Sequence, residues 1–148
     1  MQNSHIIKKI SKALSLRKDD IQKIYKLEDK NYTLEDIDKI LIETTYEDLG
    51  IFLDGLITLK RGKLDNPKKI VDVELTNNLI LKKLRVALNL KSSEVIIIFS
   101  LVDIELKMSE VNALFRREGS KNYRVCSSKL LSIFLDGLDE FYYSGNID

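Results

Sequence analysis

One stretch concentrates the side chains best suited to chemistry: Arg116-Arg117-Glu118-Gly119-Ser120-Lys121-Asn122-Tyr123-Arg124. Four basic groups, a turn-forming glycine and an aromatic ring share one short connection. Guanidinium and ammonium groups at this density suit the clamping of a phosphate, and a tyrosine beside them suits stacking on a base. Arg116, Arg117, Lys121, Tyr123 and Arg124 are therefore the candidate anion or nucleic-acid contacts. Lys82, Lys83 and Arg85 add to the same field if the fold brings them near. The competing reading is a solvated basic loop with no ligand.

Other reactive groups are sparse. Cys126 is the single cysteine and His5 the single histidine, which excludes an intramolecular disulfide and a recognisable zinc site. Cys126 falls at or beside the start of an expected helix, where backbone N–H groups can stabilise a thiolate, but with no histidine partner apart from His5 it is read as a packed or capping cysteine. Asp19, Asp20, Glu35, Asp36 and Asp38 sit at expected helix starts, where acids complement the dipole. No Gly-rich phosphate loop and no nucleophile–base pairing is present, so nothing points to an enzyme, a metal or a cofactor.

The elements that must position these groups come in pairs. Ile-Phe-Leu-Asp-Gly-Leu occurs at 51–56 and again at 133–138. The stretch 3–27 overlays 77–101 at an offset of 74, and the offset reaches 82 by Ile51, so the second copy holds about eight extra residues within 116–126. A repeat of this kind predicts one supersecondary unit used twice. Leu49, Phe52, Leu53 and Leu56 fall at i, i+3, i+4 and i+7, and Leu131, Phe134, Leu135 and Leu138 repeat that spacing, so each unit closes on an amphipathic helix. Thr45 and Ser127 stand where these helices need N-caps, and Asp48 completes a Thr-x-x-Asp box. Gly55 and Gly137 lie inside the same helices despite the helix penalty of up to ~1 kcal/mol, which predicts a close crossing between the two halves.

Each unit opens with a helix, near 4–14 and 78–88, and continues with a second from about Asp19, capped by Asp19-x-x-Gln22, and from about Ser93. Val95-Ile96-Ile97-Ile98-Phe99 alone reads as a buried strand. Its counterpart Ile21-Gln22-Lys23-Ile24-Tyr25 has helical spacing, so both are expected to be helical. Ile96 and Ile97 replace Gln22 and Lys23, giving the second unit an apolar face that needs cover from the other half or from a partner chain. A third helix follows from near Thr33 to Ile42 and from about Ser109 to Arg116. Residues 63–76, with the only proline, Pro67, and the alternating Val71-Asp72-Val73-Glu74-Leu75, read as a linker.

Composition sets the remaining bounds. The chain has 148 residues, 44% hydrophobic and 32% charged, which is ordinary for a globular protein. A net charge of +1 gives no global attraction to nucleic acid, so any anion site must be local. No apolar run reaches the ~20 residues of a membrane span, and the expected compartment is the cytoplasm.

Two resemblances follow from particular residues. Asn77-Asn78-x-Ile80-Leu81-Lys82-Lys83-Leu84-Arg85-Val86-Ala87-Leu88-Asn89-Leu90-Lys91, then Ser109-Glu110-Val111-Asn112-Ala113-Leu114-Phe115-Arg116-x-Glu118-Gly119-x-Lys121-Asn122-Tyr123, then Cys126 and Phe134-Leu135-x-Gly137-Leu138, resemble the YehS-like family. The resemblance implies a small bacterial cytoplasmic protein made of two copies of a helical domain of unknown function. It implies no catalytic residue and no ligand. The first unit departs from the pattern, since Glu43–Asp48 is short and lacks the Cys-Ser-Asp-like helix start. Separately, Leu90–Val95, a turn and Ser109–Phe115 look similar to a phage-repressor helix-turn-helix, with Ser109, Glu110 and Asn112 toward the bases. The turn is several residues too long for the standard motif.

The expected fold is all-α, with two tandem copies of a unit of about four helices each, related by pseudo-twofold symmetry. The first repeat covers 1–62, the linker 63–76 and the second repeat 77–148. Phe52, Leu53, Gly55, Leu56, Phe134, Leu135, Gly137 and Leu138 are expected to pack the repeats. The expected function is a non-enzymatic binding or regulatory module with an unknown protein partner, or a homodimer, docked on Ile96 and Ile97. The alternatives are a weak DNA- or RNA-binding protein and, last, an enzyme of unknown type.

Overall fold

Apolar residues three and four apart recur along the chain, and each such run forms a helix in the computed structural model, which describes residues 1–63 and 75–143. The helices are α1 (Asn3–Leu14), α2 (Lys18–Lys26), α3 (Leu34–Ile40), α4 (Tyr46–Arg61), α5 (Asn77–Leu88), α6 (Ser92–Ser100), α7 (Met108–Leu114) and α8 (Ser128–Tyr143). Among the described residues there is no strand, and Val95–Phe99 lies within α6 as the comparison with Ile21–Tyr25 predicts. The expected linker has residues 64–74 outside the described residues, and residues 144–148 at the end of the expected second repeat lie outside them too.

The first four helices run 12, 9, 7 and 16 residues, and the last four have the same lengths in the same order. Left-handed backbone at Ser15 and Asp29 recurs 74 positions later at Asn89 and Asp103. Ser15 and Asn89 end α1 and α5 as C-caps in that conformation.

One hydrophobic core runs through all eight helices. Leu49, Phe52, Leu53 and Leu56 are fully buried, and so, within a percent, are Leu131, Phe134, Leu135 and Leu138, as the helical stripes require. The two halves join where α1 packs on α8 and α4 on α5, while α2 packs on α4 and α6 on α8. Gly55 and Gly137 make close crossings, but not between the halves as their recurrence suggested. A Cβ at Gly55 would run into the carbonyl oxygen of Ile24, and one at Gly137 into that of Ile98. Each glycine thus lets its long helix approach the second helix of its own half.

The caps fit local chemistry with two corrections. Thr33 forms a reciprocal box, its Oγ1 accepting from the Asp36 N–H at 3.1 Å and its own N–H donating to Asp36 at 2.8 Å. Those bonds hold the Asp36 carboxyl below the usual carboxylate range. Helix α2 starts one residue before Asp19, and Asp20, not Gln22, reaches back to the Arg17 N–H at 2.8 Å. Gln22 instead donates to the Tyr32 carbonyl at 2.9 Å. At α4, Thr45 accepts from the Asp48 N–H at 3.1 Å, but the Asp48 carboxylate turns away to accept from the Tyr32 hydroxyl at 2.7 Å.

Candidate nucleic-acid interface

A buried amide ties down both ends of the connection from α7 to α8. Asn78, near the start of α5, donates through Nδ2 to the carbonyls of Leu114 (3.0 Å) and Arg124 (2.8 Å), and its Oδ1 accepts from the Cys126 N–H (2.8 Å). Asn77 donates to the Cys126 carbonyl at 3.1 Å, as Asn3 does to the Thr44 carbonyl at 3.1 Å. Between these anchors the chain turns at Gly119, whose φ of +83° lies in the left-handed region. Arg116, Arg117, Lys121 and Arg124 are exposed on this connection and Tyr123 is half-buried. Arg124 is partly neutralised by Glu110 at 3.7 Å. Burial raises the Tyr123 phenol above its ordinary value.

The fold adds a cationic concavity at the base of this connection. Lys82, Arg85, Val86 and Asn89 share one face of α5, by their spacing, and they line a shallow hollow of about 390 Å³ with Arg61, Leu90 and Phe115. Its lining holds three cations and no carboxylate. The Arg85 guanidinium lies over the Phe115 ring, 4.5 Å from its centroid. Its edge is held by hydrogen bonds from Nε to the Leu90 carbonyl (3.0 Å) and from Nη2 to Ser92 Oγ (2.9 Å). Arg61 reaches the hollow from α4 and donates to the Val86 carbonyl at 3.2 Å. No ion pair among the described residues joins Arg61, Lys82 or Arg85 to a carboxylate.

Of the three basic residues named beside this connection, Lys82 and Arg85 line the hollow with Phe115, the residue before Arg116. Lys83 does not, because it pairs with Asp54 on α4. Arg61 and Phe115 were not among the expected contacts. Phe115 had a local signal as the residue before Arg116, whereas Arg61 reaches the hollow only through the packing of α4 on α5.

The other expected sites are placed as follows. Ile96 is half-buried against the chain's own core, and Ile97 is 46% exposed. Cys126 is buried, and burial pushes its thiol up to about 11, opposite to the thiolate a helix start would favour. His5 is exposed on α1. In the helix-turn-helix comparison, Ser109 and Asn112 are exposed on α7, but Glu110 accepts from the Lys107 N–H at 3.0 Å and Leu114 is buried. A larger groove of about 1150 Å³ lies at the C-terminal ends of α1, α4, α5 and α8. It carries both signs of charge, with Lys12 and Asp139 paired at 3.4 Å, so it has no single preference for an anion. No helix of the described residues is long and apolar enough to cross a membrane.

Fold and site together define a small all-helical protein with a local cationic hollow. The model of the family described as "Protein of unknown function (DUF1456)" matches residues 77–142. The Escherichia coli (strain K12) protein described as "Uncharacterized protein YehS" is 31% identical over 147 residues, covering 93% of this chain and 94% of that protein. The chain belongs to this YehS-like family of unknown function. No solved structure matches it.

Proposed function

We propose that this protein is a non-enzymatic helical binding module of the cytoplasm, built from two tandem copies of a four-helix unit about a pseudo-twofold axis, and that its basic face binds nucleic acid weakly. The tandem reading is supported by matched helix lengths and matched left-handed residues. It is supported further by reciprocal ion pairs, Lys9 with Asp136 and Lys83 with Asp54, in which each partner has its counterpart 74 or 82 positions away.

One observation carries the ligand: Arg61, Lys82 and Arg85 share a hollow with no carboxylate, and the Arg116–Arg124 connection begins at its edge. Cations that no carboxylate neutralises keep their charge for phosphates, the main source of affinity for nucleic acid. The first half offers no such group, since Lys8, Ser11 and Leu41 stand 74 positions before Lys82, Arg85 and Phe115. A net charge of +1 keeps the binding weak and salt-sensitive. A protein partner on Ile96 and Ile97 is less well supported, because Ile96 already packs on the core.

Fluorescence anisotropy with mixed single- and double-stranded DNA and RNA across a salt series tests this reading. Affinity is expected to fall steeply with salt, and the Arg116→Ala/Arg117→Ala and Lys82→Ala variants to bind more weakly, each lost phosphate contact reducing the salt slope by about 1. An absence of binding at low salt would overturn it.

A further inference from the structure

The hollow contains one group whose geometry exceeds what a phosphate needs. A phosphate is satisfied by a mobile lysine acting as a point charge, but Arg85 is held flat and fixed. Its Cζ lies over the Phe115 ring, 4.5 Å from the centroid, and two of its N–H groups are spent on Leu90 and Ser92. A guanidinium has five N–H donors, so about three are left. Arg85 and Phe115 both line the hollow, and Lys82 and Arg61 flank them.

We infer that Arg85 is a stacking platform for an unpaired nucleobase, so that the ligand of this face is single-stranded nucleic acid, with Lys82 and Arg61 holding the phosphates on either side. This rests on the nucleic-acid reading above and narrows it to one strand class and one residue. The physics is that of aromatic and guanidinium platforms in single-strand binders. Every base has a π-face, stacking tolerates any sequence, and a base already paired and stacked in a duplex cannot reach the platform. Pre-fixing the guanidinium on Phe115 removes the entropy that a free arginine would lose on stacking. With Ser11 and Leu41 at the corresponding positions, the first half has no counterpart of this pair.

The test separates bases from phosphates. Anisotropy is measured with the full chain, at one low salt concentration, against a labelled single-stranded oligonucleotide, the same strand carrying abasic sites, and the matching duplex. The base-bearing strand is expected to bind about tenfold more tightly than the abasic strand. It is expected to bind more tightly than the duplex as well. Arg85→Lys keeps the charge and loses the plane, so it should remove that preference while leaving the salt slope nearly unchanged. Phe115→Leu, which takes away the ring beneath the guanidinium, should reduce the preference too and serves as the second variant if Arg85→Lys melts early by circular dichroism. Equal binding of base-bearing and abasic strands by the wild-type protein would overturn the platform and leave phosphate binding intact. A preference that survives in both variants would overturn the assignment to Arg85. No binding of any strand would overturn this inference and the nucleic-acid reading together.

Discussion

Lys9 on α1 and Asp136 on α8 stand 2.5 Å apart, and Lys83 on α5 pairs with Asp54 on α4 in the corresponding place on the other junction. Both carboxylates belong to the repeated Ile-Phe-Leu-Asp-Gly-Leu, so the aspartates of the repeat fasten one half of the chain to the other. Asp54 and Asp136 are thus engaged with lysines. All four side chains remain between a quarter and three-fifths exposed, so solvent screens the pairs. In double-mutant cycles, each pair should show a coupling of about 0.2–1 kcal/mol that shrinks with added salt. The two pairs lie on different junctions, and their effects should add.

The glycines of the long helices are not equivalent. Gly55→Ala and Gly137→Ala each place a methyl against a backbone carbonyl, which cannot swing aside as a flexible side chain can. Overpacking of this kind costs about 1–3 kcal/mol and outweighs the helix-propensity gain of up to ~1 kcal/mol. Both variants should lower the denaturant midpoint. Gly50→Ala, in the same helix as Gly55 with nothing within 4 Å of an added methyl, should raise stability by up to ~1 kcal/mol. A stabilised Gly55→Ala would show that α4 and α2 are farther apart than described.

The contrast between these glycines also marks what a sequence can tell. Leu49, Phe52, Leu53 and Leu56 announce their helix and its buried face by spacing alone, because helical period and burial are local consequences of the same pattern. Val95–Phe99 does not, since a continuous apolar run fits strand or helix, and only Ile21–Tyr25 decided it. That Gly55 needed a close neighbour was legible, whereas the identity of that neighbour, Ile24 in its own half, depended on how α4 crosses α2. The same limit applies to the basic face. Arg116 and Lys82 were visible as charges, but Arg61 and Lys83 are separated by their partners across the α4–α5 junction, one left open to the hollow and the other bound to Asp54.

Asn78 links the start of α5 to both ends of the basic connection, and its three hydrogen bonds are all to backbone groups. Asn78→Leu would strand two carbonyls and one N–H, and each buried unsatisfied group costs about 1–3 kcal/mol. The variant should lose about 3 kcal/mol in equilibrium unfolding, the lower end of that range because the connection can relax toward water. Hydrogen exchange should locate the change: the Cys126 amide, protected by Asn78 in the native chain, should exchange much faster.

Alkaline titration should expose the network around Asp48. The Tyr32 hydroxyl donates to the Asp48 carboxylate at 2.7 Å, and the buried Tyr25 hydroxyl to the Asp48 carbonyl at 2.8 Å. The bond to Asp48, with desolvation and neighbouring charge added, raises the Tyr32 phenol from 10.0 to about 12, and burial raises Tyr25 as well. A raised pKa means that the folded chain holds its proton where the unfolded chain has released it. The stabilisation is therefore complete below pH 10 and is lost as the pH climbs from there through about 12. Unfolding followed by circular dichroism should show stability declining over that window. Tyr32→Phe should be less stable at neutral pH, by about 1.5–3 kcal/mol for a hydrogen bond to a charged group, and its decline with pH should be shallower because Tyr32 no longer adds to the raised Tyr25, Tyr123 and Cys126. An equally steep decline in Tyr32→Phe would place the alkaline transition elsewhere than at the Tyr32–Asp48 bond.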